Sequence, residues 1–259
     1  MKLQSALYMI PVNISEAPLA DVLPSANLEI VRGIRHFIVE NIRTARRFLK
    51  RCDSSIDIDA ITFYELNGHT DSLQVSSYLD PLRQGEPVGM MSEAGCPGVA
   101  DPGALPAKIA QEEGLRVIPL VGPSSILMSL MASGLNGQCF AFRGYLPVDG
   151  MEREKKIREL ENQSRRDDMT QIFIETPYRN VSMFESLVKS LKDDTMLCVA
   201  SAVTDPENER IITRRVGDWK KNRIQIEKHP TIFLFYSGDS AVFGPKSIKA
   251  SHGKKKNFV

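Results

Sequence analysis

The loop Ser92-Glu93-Ala94-Gly95-Cys96-Pro97-Gly98-Val99-Ala100-Asp101-Pro102-Gly103 decides how this chain folds. It follows an apolar run, residues 87–91, that predicts a buried strand, and it precedes residues 104–113, which have helical composition. In open α/β sheets, ligands bind at the carboxyl ends of the strands, where this loop lies. Glycine lets backbone approach a ligand, and Glu93 and Asp101 can accept hydrogen bonds from ribose or amine donors. The alternative is a connection without a ligand, although most strand-to-helix connections are shorter.

The composition limits the classes of function. The chain has 259 residues, enough for two domains of modest size, and its 42% hydrophobic and 25% charged content is typical of a globular protein. Its net charge of +1 gives no general attraction to polyanions, so any nucleic-acid contact must use local basic patches. No apolar run approaches the length of a membrane span. The apolar start is interrupted at Pro11 and Glu16, which favours a first strand over a signal peptide.

The cysteines and histidines carry no metal-binding pattern. The four cysteines are scattered, without CxxC or His-paired spacing, which predicts neither a disulfide framework nor a zinc site and favours reduced thiols in a cytoplasmic protein. Cys96 lies in the loop, but no base is signalled beside it, so a packed small residue is favoured over a nucleophile.

The spacing of apolar runs predicts the fold class. In the first half, runs at 7–10, 36–40, 60–64, 88–91 and 116–121 alternate with helical stretches, which predicts a mostly parallel sheet with helices on both faces. After Gly134 there are more strands per helix, which predicts a mixed α+β unit. We therefore expect an N-terminal α/β domain over residues 1–123, a mixed C-terminal domain over 124–240, and a basic, flexible tail over 241–259.

A second loop with ligand-binding potential is Gly122-Pro123-Ser124-Ser125, which opens an apolar helix. Proline and small hydroxyl residues are typical of a helix N-terminus, where free backbone amides are available. Ser124 and Ser125 are therefore either simple caps or ligand contacts.

Four motifs in one order resemble the tetrapyrrole methylase superfamily. They are the 92–103 loop, the turn at 120–125, Gly144-Tyr145-Leu146-Pro147 and Glu175-Thr176-Pro177-Tyr178-Arg179. Within this superfamily, the chain is most similar to the branch that methylates the ribose 2′-hydroxyl of a cytidine in small-subunit ribosomal RNA. The resemblance extends over most of residues 6–238.

This resemblance implies a cofactor, partners and a two-domain fold of the tetrapyrrole-methylase type. S-adenosylmethionine (SAM) would lie in the cleft between the domains of a homodimer, and the RNA partner would be ribosomal RNA or the small ribosomal subunit. The residues expected to bind the cofactor are Pro11, Ser92, Glu93, Gly95, Gly98, Val99, Asp101, Ser124 and Ser125. No membrane or metal partner is expected.

The chain departs from the family pattern on the substrate side. The first loop, residues 10–14, keeps Pro11 but lacks the family's glycine. The family also has one more carboxylate than Glu40-Asn41-Ile42-Arg43 and two more polar groups than Leu66-Asn67-Gly68. The family's later Arg-Glu-Leu-Thr-Lys is replaced by residues 201–205. These differences leave three hypotheses open: methylation of an RNA ribose, methylation of a tetrapyrrole or other small molecule, and a SAM- or RNA-binding protein without turnover.

Glu40 and Arg43 are the catalytic candidates. A ribose hydroxyl is a poor nucleophile that gains from a general base, and Glu40 ends the second predicted strand. The alternative is a surface ion pair of Glu40 with Arg43 or Arg47.

Three residues are substrate-binding candidates. Glu175 and Arg179 either orient substrate or form a structural pair, and Tyr145 either lines the cleft or packs as a core aromatic.

The helix predicted from 41 to 51 is basic. Arg43, Arg47 and Lys50 share a face, which is either a phosphate-binding stripe or a solvated surface.

Overall fold

Two five-stranded β-sheets organise the chain. The computed structural model describes residues 3–68, 70–222 and 226–238. The tail predicted at 241–259 lies outside the described residues. The boundary predicted between residues 123 and 124 falls just before a helix that packs on the second sheet, and it stays a prediction.

The first sheet is parallel throughout and has the strand order β3-β2-β4-β1-β5. Its strands are β1 (Leu7–Met9), β2 (His36–Val39), β3 (Thr62–Glu65), β4 (Val88–Met91) and β5 (Val117–Pro119). The central strand β4 is fully buried because helices cover both faces of the sheet. Side chains alternate between the two cores, with Phe37 in one and Ile38 in the other. The predicted fold class is confirmed for this half.

In the described part of the chain, seven helices connect the strands of this half and lead to the second. They are α1 (Leu19–Val22), α2 (Ser25–Gly33), α3 (Ile42–Cys52), α4 (Ser72–Ser77), α5 (Asp80–Arg83), α6 (Ala104–Glu112) and α7 (Ser125–Ser133). Helix α3 buries Ala45, Phe48 and Leu49 and exposes its arginines, as its amphipathic sequence predicts. Helix α7 packs on strands of the second sheet, through residues such as Leu130.

The second sheet is mixed and has the order β6-β7-β10-β8-β9. Its strands are β6 (Phe140–Tyr145), β7 (Thr170–Glu175), β8 (Met196–Ser201), β9 (Arg210–Arg215) and β10 (Thr231–Tyr236), and only β6 and β7 pair in parallel. Its helices are α8 (Gly150–Asp167), α9 (Asn180–Ser190) and α10 (Val216–Lys221), with a 3-10 turn at Pro177–Arg179. The predicted α+β character is confirmed.

The strand order brings the candidate residues together. Because β2 and β4 are parallel neighbours, Glu40 and Ser92, which directly follow them, lie at the same edge of the sheet. Strand β7 of the second sheet ends at Glu175, and the start of β10 at Thr231 is its antiparallel partner. This edge of the first sheet faces that end of the second, with a cleft between them.

Candidate ligand cleft between the two sheets

The 92–103 loop is held in shape by its own acidic residue. The Asp101 Oδ1 accepts the Gly98 N–H at 2.8 Å and the Gly103 N–H at 2.7 Å. Gly98 has a φ of +84° and Gly95 a φ of +70°, conformations that favour glycine. The carbonyl of Gly95 accepts the Val12 N–H at 3.0 Å, which ties the loop to the segment after β1. The loop is therefore preformed at the carboxyl end of β4.

The loop forms one wall of a cleft of about 380 Å³ whose other walls come from the second sheet. A volume of this size suits a small organic ligand. The larger apolar side chains in the lining are Ile14, Val99, Ile126, Phe142, Ile174, Val203 and Ile232. Among the described residues that line it are four acidic ones, Glu40, Glu93, Asp101 and Glu175, but no lysine, arginine or histidine. The cleft therefore favours a ligand that is partly apolar and positively charged.

Glu40 lies half-buried in this acidic group. Its Oε1 accepts the backbone N–H of Glu93 at 3.1 Å. Burial raises the pKa of Glu40; the hydrogen bond from Glu93 opposes this shift, and the charges of Asp101 and Glu93 add to it. Within the described part of the chain, neither Arg43 nor Arg47 has a carboxylate within 4.0 Å, so the ion-pair alternative is not what the structure shows. A carboxylate with a raised pKa in a cleft is suited to accept a proton.

Helix α3 is tied to the cleft at its first turn. Asn41 caps the helix by accepting the Arg43 N–H at 2.9 Å, and Thr44 Oγ1 donates to Glu93 Oε1 at 2.5 Å. Arg43 itself is exposed and is not among the residues that line the cleft. The geometry therefore supports Glu40 more directly than Arg43.

The predicted cofactor residues fall into two groups. Those that line the cleft are Ser92, Glu93, Val99, Asp101 and Ser125. The others shape its surroundings. Gly95 and Gly98 shape the loop, and Pro11 packs so closely on Gly122 that a Cβ at that glycine would clash with it. Ser124 caps α7 by accepting the Leu127 N–H at 3.5 Å. Cys96 donates to the Pro123 carbonyl at 3.3 Å, and burial raises the pKa of its thiol, which suits a packed residue.

The substrate candidates are also divided. Tyr145 lines the cleft and is 55% exposed. Glu175 lines it with a buried side chain whose Oε1 accepts Arg179 Nε at 2.8 Å and Arg179 Nη2 at 2.6 Å. Arg179 is not among the lining residues. Glu175 and Arg179 are thus paired, while Glu175 also reaches the cleft, and their role in binding substrate stays a prediction.

Removing the cation of this pair is expected to destabilise the protein. In Arg179→Ala, the buried carboxylate of Glu175 loses its counter-ion, and breaking such a pair costs about 3 kcal/mol of unfolding free energy. Urea denaturation of the variant measures this loss. The matched control is the Arg179→Ala, Glu175→Gln double variant, which leaves no buried charge and should recover part of the stability. Wild-type stability in Arg179→Ala would show that the pair is not structural.

Sequence reasoning missed the contribution of β10 and its flanks. Pro230, Thr231 and Ile232 line the cleft because Thr231 pairs with Glu175 across an antiparallel ladder. The strand itself was evident in the sequence, but its neighbour and direction were not. Pro230, directly before the strand, is the local sequence signal that marks where this edge begins.

The described residues contain neither a helix that could cross a membrane nor a cluster that could hold a metal ion. Over residues 3–68, 70–222 and 226–238, no helix combines the length and apolar composition that crossing a bilayer requires. In the same residues, no group of three or more His, Cys, Asp or Glu side chains is arranged to hold a metal ion.

With the cleft described, comparison with solved structures defines the class of fold. The chain has the fold of the tetrapyrrole methylases: it matches the methyltransferase CobJ with a TM-score of 0.59 and 16% identity, covering 89% of this chain and 93% of that one. It matches uroporphyrin-III C-methyltransferase from Thermus thermophilus, complexed with S-adenosylhomocysteine, with a TM-score of 0.53 and 13% identity, covering 89% and 97%.

Sequence comparison points to a particular relative. The chain is 29% identical over 201 residues to the Ribosomal RNA small subunit methyltransferase I of Escherichia coli O157:H7, covering 78% of this chain and 66% of that protein, slightly less than two thirds of its length. No family model matches the chain. The resemblance inferred from the four sequence motifs is confirmed.

Proposed function

We propose that this chain is a SAM-dependent methyltransferase that acts on a ribose 2′-hydroxyl of small-subunit ribosomal RNA. The observation that carries the proposal is the acidic, partly apolar cleft beside the preformed 92–103 loop. SAM carries a sulfonium and an ammonium group with one carboxylate, so its net charge is positive. Because Glu175 is paired with Arg179, the carboxylates that complement this charge are those of Glu40, Glu93 and Asp101, and the aliphatic lining suits an adenine ring.

The residues present fit this cofactor. The backbone of the 92–103 loop and the Ser125 hydroxyl would hold its polar groups, while Val99, Ile126 and Ile232 would pack on its apolar parts. When bound, SAM supplies an electrophilic methyl group for in-line displacement. A structure with the same fold is titled as a complex with S-adenosylhomocysteine, the demethylated product, which supports this choice of ligand.

Glu40 would take the proton of the attacking hydroxyl. Its Oε1 is oriented by the N–H of Glu93, and burial holds its pKa above the usual range, closer to the pH at which the reaction would run. The protein's other contribution is alignment, because holding acceptor and methyl donor in line supplies much of the rate of such a displacement. The Glu93 N–H therefore positions Glu40 through Oε1, and Oε2 would accept the proton of the substrate hydroxyl.

The choice of ribosomal RNA as acceptor is supported by the relatives, which are named for that activity. The cytoplasmic location and the homodimer belong to the same proposal.

The second candidate is methylation of a tetrapyrrole, which the tetrapyrrole-related names of several structures of this fold favour. A cleft lined by carboxylates disfavours it, since the carboxylate side chains of uroporphyrin-type rings would be repelled there.

The proposal is tested by transfer of a labelled methyl group. Purified protein is incubated with methyl-labelled SAM and small ribosomal subunits, and the RNA is digested to nucleosides. We expect label in one 2′-O-methyl nucleoside. Label in uroporphyrinogen but not in RNA would favour the second candidate. Label in neither, with SAM still bound, would indicate a binding protein without turnover.

A further inference from the structure

A second cavity, of about 360 Å³, adjoins the cleft and shares Ser92 and Glu93 with it. We name it the side cavity. Its base is apolar, with Phe48 and Met91, and its rim includes Arg47 and Arg51 of helix α3. The charged residues described in the lining of the cleft are all acidic. In contrast, the lining of the side cavity includes the guanidinium groups of Arg47 and Arg51 as well as carboxylates.

The basic residues of α3 differ in what they contact. Arg46 pairs with Asp59 at 3.3 Å, Lys50 donates to the Ser54 carbonyl at 2.9 Å, and Arg51 donates to the Ala17 carbonyl at 3.1 Å. Arg43 and Arg47, one turn apart, have no carboxylate within 4.0 Å among the described residues. Of these two, only Arg47 lines the side cavity. Of the predicted stripe of Arg43, Arg47 and Lys50, Lys50 is thus occupied by the Ser54 carbonyl. Among the described residues, Arg43 and Arg47 remain without a carboxylate partner and can bind an anion.

Two carboxylates also face the side cavity. Glu16 is almost fully exposed and 4.0 Å from Arg51, so water screens its charge. Glu93 accepts the Thr44 hydroxyl and stands between the two cavities. Neither neutralises Arg47 directly. A ligand here can place an anionic group on Arg47 and a hydroxyl or amine donor near Glu93, which describes a nucleotide better than a bare anion.

We propose that the side cavity receives a nucleotide of the RNA strand beside the acceptor ribose, with Arg47, assisted by Arg43, on its phosphate. This inference rests on the proposed function. The acidic cleft repels phosphates, so an RNA whose ribose reaches Glu40 must place its backbone outside the cleft. The side cavity is adjacent and carries an unpaired guanidinium, which can bind phosphate with two parallel hydrogen bonds. Such a contact adds affinity and fixes the register of the strand without reading its sequence.

The test is the salt dependence of RNA binding. A labelled single-stranded RNA oligomer is titrated with wild type, Arg47→Ala and Arg46→Ala over about 50 to 200 mM salt. Losing one phosphate contact on a single strand should reduce the slope of log affinity against log salt by about 0.7 in Arg47→Ala. Arg46→Ala is the matched control, because that arginine lies on the same helix but is paired with Asp59. SAM affinity is measured for all three proteins and should be unchanged.

The outcomes separate this inference from the proposed function. A reduced slope in Arg47→Ala alone supports the phosphate site, and it does so even if no methyl transfer is found, in which case only the proposed function fails. Equal slopes in all three proteins, or equal losses in both variants, would overturn the phosphate site even if wild type methylates RNA. The absence of any RNA binding by wild type would overturn it as well.

Discussion

Glu40→Gln is expected to lower the rate constant of methyl transfer by about 10²- to 10⁴-fold, the usual contribution of a general base. SAM affinity should stay close to wild type, because glutamine keeps an oxygen that can accept the Glu93 N–H. Single-turnover methyl transfer with calorimetric SAM binding separates the two effects. Glu65→Gln is the matched control, since Glu65 ends the neighbouring strand β3 but does not line the cleft. A wild-type rate in Glu40→Gln would remove Glu40 from the mechanism.

The pH dependence of the same variant gives an independent check. Burial raises the pKa of Glu40 above its ordinary value of 4.5, and only the ionised carboxylate can accept a proton. The wild-type rate should therefore rise with pH as Glu40 ionises, at a pH above 4.5, and this limb should be missing in Glu40→Gln. An unchanged acid limb in the variant would assign the titration to another group.

The raised pKa also has a consequence for stability. A carboxyl whose folded-state pKa is raised binds its proton more tightly in the folded state. Its stabilising contribution is therefore present below the unfolded pKa and is lost as pH rises through the folded pKa. At neutral pH, Glu40→Gln should accordingly be more stable than wild type, and the difference should shrink toward acid pH. Thermal unfolding of both proteins across pH measures this.

Asp101→Ala is expected to abolish tight SAM binding by releasing the 92–103 loop. The variant loses the acceptor for the N–H groups of Gly98 and Gly103, and two such bonds to a charged acceptor stabilise the fold by about 2 kcal/mol or more. If SAM must then order the loop at the same cost, its affinity falls about 30-fold.

Asp101→Asn is the control that separates shape from charge. Its amide oxygen can still accept both N–H groups, so the loop should keep its form and much of its stability. SAM affinity in Asp101→Asn should lie between those of wild type and Asp101→Ala. Wild-type affinity in Asp101→Ala would show that the loop does not depend on this brace.

The parts of the site that follow a strand were predictable from sequence. Apolar runs located all five strands of the first sheet, and parallel pairing places Glu40 and Ser92 at one edge. The apolar runs did not locate helices α1 and α2, which directly follow Pro18 and Pro24. Proline is compatible with the start of a helix.

The second half of the site could not be predicted in the same way. Thr231 reaches the cleft only because β10 runs antiparallel beside β7, and strand order in a mixed sheet is set by long-range packing rather than by local pattern. The same limit applies to α3, where spacing gave three cations on one face. Only the contacts of Lys50 with Ser54, and of Arg46 with Asp59, show which cations remain available.

Calorimetric titration of the purified chain with SAM and with S-adenosylhomocysteine tests whether the acidic cleft beside the 92–103 loop is a SAM site. We expect saturable binding of both compounds at one site per chain, weakened in Asp101→Ala. Absence of binding by either compound, with the protein folded, would contradict the account.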